Sequence, residues 1–362
     1  MKRLYLLLFV LLACLLMAAQ WETIEPMSVA RSDAMVALDD EGTLYVFGGT
    51  NLSDYLTSSE SYQPDVGWAA LADLPEPFSQ GNAACYEQNI YIPGGVANGT
   101  IVDTMLIYDT AADSWDTGVS PPAERYGYSL DVLGEYLYAL GGADTLDESQ
   151  SNCWQYDPAG ASWTAMESMN SARRYHGSAA LEGKLYVFGG IDDSAPTPQA
   201  KVEGEVYDPV ADEWSAIADM PVTFWGGSSG VVDGVIWACH GMQNDQPSAT
   251  CMSYDPTEDE WTIENPAAEE RYRVGSASSP LYAVGGTQIG LQGAEAVVVV
   301  ERLISAEVDD DTVDDDTVDD DTVDDDDDND TVDDDDSIQP DDDSADDDAV
   351  ADDDDDDNAC GC

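Results

Sequence analysis

The chain is poor in positive charge. Its 362 residues carry 11 Lys and Arg against 76 Asp and Glu, a formal net charge of −65. A surface of that sign repels phosphate backbones and anionic lipid, which excludes nucleic acid as a partner. Histidine is scarce: only His176 and His240 occur. The cysteines (Cys14, Cys85, Cys153, Cys239, Cys251, Cys360 and Cys362) show no metal-ligand spacing in the globular part. Neither a structural zinc site nor a resident cofactor is therefore expected. The one long apolar run, Leu4 to Ala19, is 16 residues and too short for a membrane span.

What is present divides the chain. Met1-Lys2-Arg3, the apolar run and Ala18-Ala19 read as an export signal over residues 1–19. "LLAC", Leu11 to Cys14, offers a second cleavage point that would make Cys14 a lipidated first residue. Either way the mature protein is expected to be extracellular or on the cell surface, tied to a membrane only through a lipid or sorting anchor. Residues 20–305 hold 44 acidic and 9 basic residues with ordinary hydrophobic content, enough for one generous β domain. From Asp309 to Asp357 there are 31 Asp and no Lys or Arg. Residues 306–359 therefore read as a disordered, solvated stalk. Its carboxylates would associate weakly with Ca²⁺, without the turn glycine and ligand spacing of a defined site. The terminus 360–362, Cys-Gly-Cys, is similar to the cysteine-containing sorting tails of some bacterial surface proteins, although no apolar segment or basic cluster follows it.

The middle of the chain is periodic. Glycine pairs stand at Gly48-Gly49, Gly94-Gly95, Gly141-Gly142, Gly189-Gly190 and Gly285-Gly286, and His240-Gly241 fills the remaining slot. Four positions before each second glycine is an aromatic residue: Tyr45, Tyr91, Tyr138, Tyr186, Trp237 and Tyr282. A second tyrosine follows at Tyr62, Tyr108, Tyr156, Tyr207 and Tyr254, and six or seven residues later a tryptophan at Trp68, Trp115, Trp163, Trp214 and Trp261. This is four short strands per unit of about 47 residues, in six units. The three motifs in register resemble the kelch repeat, and the resemblance covers essentially all of residues 20–305.

That resemblance implies an all-β, six-bladed propeller with blades near 25–71, 72–118, 119–166, 167–217, 218–264 and 265–304 plus 20–24. The sixth unit lacks its tryptophan. Trp21 supplies it, so the N-terminal strand is expected to close the ring. The Gly-Gly, Tyr and Trp sets are read as scaffold, because blades pack radially through them. Cys239 and Cys251 fall on the second and third strands of one blade, where they could form a cross-strand disulfide.

Candidate function rests on the lead-in to each innermost strand. Six of the nine basic residues beyond Arg3 gather there: Arg31, Arg125, Arg173, Arg174, Arg271 and Arg273. Phe78 and Trp225 (or Phe224) occupy the slots in units 2 and 5, with Tyr126, Tyr175 and Tyr272 alongside. In a propeller these positions surround one mouth of the central channel. The expectation is a positive, aromatic-lined funnel for carboxylate ligands or acidic peptides. The main reading is a non-catalytic binding module for a protein or a glycan. The alternative is a sugar-modifying enzyme resembling the exported six-bladed kelch N-acetylneuraminate epimerases, with Arg173, His176 and Glu124 or Glu269-Glu270 as candidate groups. Kelch-type copper oxidases need more histidine ligands than two.

Overall fold

The computed structural model describes residues 19–193 and 197–304. The residues expected as an export signal before Ala19, those expected as an acidic stalk and the Cys-Gly-Cys terminus lie outside the described residues. Within the described residues the regular structure is all β, arranged as six antiparallel blades in a ring, five of four strands and the second of five, with three two-stranded hairpins besides. The third blade is representative. Ser129–Leu133 is innermost, followed outward by Tyr136–Leu140, Cys153–Asp157 and Ser162–Met166. The second strand of each blade is nearly all buried, the innermost is only part-buried beside the channel, and the outermost alternates. A strand packed on both faces reads as continuous apolar sequence, one with a wet face as alternation.

The core lies between blades. Seven apolar clusters among the described residues bridge neighbouring blades, at least one at each of the six interfaces; one joins Met35 and Phe47 of the first blade to Ile92 and Tyr108 of the second. The last interface is closed by Gln20–Thr23, which pairs antiparallel with Val300–Ile304 and sets Trp21 opposite Leu303.

The repeat motifs are hooks between blades. The N–H of the second glycine of a pair donates to a main-chain carbonyl of the next blade, as Gly49 does to Phe78 at 2.8 Å and Gly190 to Phe224 at 2.7 Å. A Cβ on Gly48 would sit 2.3 Å from that same Phe78 oxygen, so no side chain fits. On the outer strands, Nε1 of Trp68, Trp115, Trp163, Trp214 and Trp261 donates to the carbonyl of Glu25, Ala72, Val119, Glu167 and Ala218, at 2.8–3.1 Å. In three blades an aspartate two residues before the tryptophan grips the N–H of that same residue: Asp113 holds Ala72, Asp212 holds Glu167 and Asp259 holds Ala218. These aspartates also accept the hydroxyls of Tyr108, Tyr207 and Tyr254.

Trp21 departs from the series. Its Nε1 donates to Cys251 Sγ at 3.1 Å, and its ring meets His240 edge-on at 5.2 Å. Cys251 is joined to Cys239 by a disulfide across the second and third strands of the fifth blade.

Candidate functional site at the channel mouth

Three successive residues lead into each innermost strand, and their side chains go to three different places. The first register comprises Arg31, Phe78, Arg125, Arg173, Phe224 and Arg271. Arg31, Arg173 and Arg271 are fully buried at 0% exposure, and so are Phe78 and Phe224. Arg31 Nη1 donates to the carbonyls of Gly48 (2.7 Å) and Ser58 (2.8 Å), and Nη2 pairs with Glu60 at 2.9 Å. Arg173 repeats this with Gly189, Glu203 and Glu205, and Arg271 with Gly285, Val299 and Glu301. Arg125 bonds Asn152 and stacks 5.0 Å from the Trp154 centroid. The blades with phenylalanine carry Leu106 and Met252 in place of the glutamate, packed in the same apolar clusters.

The expected funnel of six arginines is therefore corrected. Arg31, Arg125, Arg173, Arg271 and Phe78 belong to the blade interiors, because each guanidinium satisfies main-chain carbonyls or a polar side chain that would otherwise be buried unpaired.

The second register is Ser32, Ser79, Tyr126, Arg174, Trp225 and Tyr272. The third is Asp33, Gln80, Gly127, Tyr175, Gly226 and Arg273. All six residues of the third are left-handed, with φ between 51° and 63°. They form a main-chain belt around the channel: each N–H of Asp33, Gln80, Gly127, Tyr175 and Gly226 donates to the belt carbonyl of the preceding blade. Val274 N–H completes it to Gly226, while Asp33 receives its partner from Arg273 at 3.1 Å. A left-handed Tyr or Arg costs on the order of 1 kcal/mol, and persists where surrounding bonds over-determine it.

This backbone turn aims the third side chain across the mouth. Arg273 pairs with Asp33 at 2.9 Å, and Tyr175 Oη donates to Gln80 at 2.6 Å. Around them runs an aromatic arc: Tyr126 to Tyr175 (5.9 Å between centroids), Tyr175 to Trp225 (6.2 Å), Trp225 to Tyr272 (6.1 Å). Arg174 lies over the rings of Tyr126 and Tyr175, and Arg273 over Tyr175, at 5.6–5.7 Å. Of the six arginines, only these two reach the mouth. Each already carries a carboxylate of its own chain, Arg174 with Asp193 at 2.8 Å and Arg273 with Asp33.

Below the belt, the innermost strands enclose a cavity of about 330 Å³ whose walls include Asp131, His176, Ser178 and Ser229. Burial pushes the Asp131 carboxyl up to about 6, opposed by a hydrogen bond from Ser178. Burial and the Arg173 charge push His176 down to about 3, and its Nε2 shares a 3.0 Å hydrogen bond with Ser129. Burial likewise raises Asp33 to about 6 against the pull of Arg273. Of the groups named for an epimerase-like site, Arg173 is held by Glu205 inside its blade close enough for its charge to act on His176 in the channel wall, while Glu124 is exposed and Glu269 and Glu270 line a separate outer cleft. Ser228, His240 and Glu301 form a relay with both contacts at 3.0 Å, but all three are wholly buried.

Sequence reasoning missed Asp33, Gln80 and Asp131. A signal existed: every belt residue lies twelve positions after a repeat tryptophan, from Trp21 to Asp33 through Trp261 to Arg273.

A diglycine-hooked, tryptophan-pinned ring of four-stranded blades defines a kelch propeller. The family model described as the KLHDC2/KLHL20/DRC7 Kelch-repeats domain matches residues 9–190, and the Kelch motif matches residues 172–221. The chain belongs to the kelch-repeat family. It is similar to Kelch-like protein 15 of Danio rerio, 29% identical over 266 residues, covering 67% of this chain and 44% of that protein. Kelch-like protein 36 of Mus musculus is 30% identical over 58% of this chain and 35% of its own length, and Alpha-scruin of Limulus polyphemus 30% over 54% and 23%. The chain thus spans less than half the length of these relatives. The solved structure of YjhT superposes with a TM-score of 0.67 over 79% of this chain and 97% of its own, at 16% identity, a likeness of fold.

Proposed function

We propose that this protein is an exported, non-catalytic binding module that takes a protein partner on the face surrounding the belt. The observation that carries this is the aromatic arc Tyr126–Tyr175–Trp225–Tyr272 with Arg174 and Arg273 laid over it: Tyr126 is buried at its base and the other five are partly exposed on a hydrogen-bonded main-chain ring. Trp, Tyr and Arg dominate binding hot spots because they bury much area with little conformational freedom to lose. The loops after the glycine pairs rise on the same face, since Trp225 bridges Met242 and Tyr272 bridges Thr287. Exposed Leu52, Tyr55, Leu146, Ile289 and Leu291 sit on those loops. Export is supported by the N-terminal sequence and by the Cys239–Cys251 disulfide, a bond that persists in oxidising compartments.

A phage-displayed peptide library selected on the full chain tests this. Selected peptides should lose at least about tenfold in affinity to Trp225→Ala or Tyr272→Ala. Tyr86→Ala, at the far end of an innermost strand, should change affinity by less than about twofold. Equal affinity for all three variants would sink the reading.

A further inference from the structure

Two small hairpins stand out from the ring on the loop face. In the fifth blade Met242–Gln243 pairs with Gln246–Pro247, and in the sixth Thr287–Gly290 pairs with Gly293–Ala296. Between them runs the lead-in segment Glu269–Tyr272, tied to both by the bridges Ser248 to Arg271 and Tyr272 to Thr287. The three elements bound an open cleft of about 610 Å³, within the range of about 300–1,000 Å³ that accommodates a ligand of several side chains.

The lining has a definite chemistry. It presents the carboxylates of Glu269, Glu270 and Glu295 and the apolar surface of Pro247 and Ile289, and no Lys or Arg is among the lining residues. Glu269 is oriented by a hydrogen bond from Gln288 Nε2, while Glu270 and Glu295 are exposed. The nearby arginines cannot turn in to neutralise them. Arg271 is buried against Glu301, and Arg273 is held across the mouth by Asp33. Ile289 and Leu291 project from the hairpin beside the cleft, both exposed.

We propose that this cleft docks a segment of the protein partner that carries Lys or Arg beside an aliphatic residue. The proposal rests on the protein-binding role above and specifies the chemistry of what binds. An acidic segment would meet three like charges. A purely apolar one would desolvate those carboxylates with nothing to pair them, which costs more than the apolar contact returns. A cation flanked by aliphatic carbons satisfies both halves of the lining, its stem along Ile289 and its head at the carboxylates.

The test uses the full chain at physiological ionic strength and fluorescence anisotropy. The probes are a labelled peptide alternating Lys and Leu and its Glu/Leu counterpart. Glu270→Lys/Glu295→Lys reverses charge in the cleft. Glu135→Lys/Glu182→Lys makes the same net change at exposed turns between first and second strands. The Lys/Leu peptide should bind and the Glu/Leu peptide should not. The cleft variant should lose about tenfold or more, and the turn variant less than about twofold. Ile289→Ser/Leu291→Ser should weaken binding without altering its salt dependence. Equal losses in the two charge variants would assign the attraction to the chain's overall charge and overturn the proposal, as would absence of Lys/Leu binding. Library peptides that need Trp225 yet ignore the cleft reversal would overturn this inference and leave the binding role standing. If no library peptide binds, the role itself falls.

Discussion

Arg31, Arg173 and Arg271 each close a hairpin from inside, holding two carbonyls and one glutamate. Removing the cation alone strands a buried carboxylate, whereas exchanging both partners for apolar residues can be nearly neutral. Arg173→Met is expected to cost roughly 3–5 kcal/mol in denaturant unfolding. Arg173→Phe with Glu205→Met, the combination present as Phe224 and Met252, should recover most of that loss. His176 gives a second residue-scale expectation. Its folded pKa of about 3 lies below the ordinary histidine value, so the unfolded chain takes up the proton first as pH falls. The stability due to neutral His176 is complete above about pH 6.5 and is lost as pH falls below that toward 3. His176→Gln should therefore flatten the acid limb between pH 6 and 4 by up to about 1.4 kcal/mol per pH unit, read from unfolding curves at several pH values.

At the scale of elements, the outer strands are joined by a grip on one peptide residue: aspartate takes its N–H and tryptophan its carbonyl. Blades 2, 4 and 5 have both halves, with Asp113, Asp212 and Asp259. Blade 3 has Trp163 on Val119 but Ala161 where the aspartate would stand, already left-handed at φ 45°. Aspartate tolerates that conformation better than alanine, and Val119 N–H lies where the other blades supply the gripped donor. Ala161→Asp should stabilise the protein by about 0.5–1 kcal/mol, and Trp214→Phe, which keeps the ring but loses the donor, should cost about 1 kcal/mol. Both are measurable as midpoint shifts in urea. The tryptophans were legible in the sequence because they recur at fixed spacing. Their aspartate partners were not, since the motif is complete in only three blades and Asp is common throughout the chain.

Across the whole molecule, the six-bladed ring and its N-terminal closing strand could be read from Gly-Gly, Tyr and Trp in register, because a propeller needs the same interface solved six times. The mouth could not. Residues 173, 174 and 175 are consecutive, yet Arg173 is sealed in the blade, Arg174 lies over the aromatic arc and Tyr175 reaches across the mouth to Gln80. Which is which depends on a left-handed turn at the third, and Tyr175 and Arg273 give no hint of it where Gly127 and Gly226 do. Arginine clustering marks one end of the channel, yet four of the six arginines are held inside the blades. Closure carries a prediction of its own. A chain beginning at Ser28 loses the strand opposite Val300–Ile304 and exposes Cys251 and His240, so it should unfold at lower denaturant and over a broader range than the full chain.

That closure has a consequence in time. Glu22 and Arg302 are 280 residues apart in sequence and joined at 2.9 Å. While the chain is being made, Trp21 is the first of the propeller's strand residues to emerge and its partner strand is the propeller's last. Five blades can assemble on neighbour contacts as they appear, but the first strand must wait, unpaired, for the sixth. Ring closure thus falls to the ends of the domain, and a truncation before residue 300 leaves a sheet edge open.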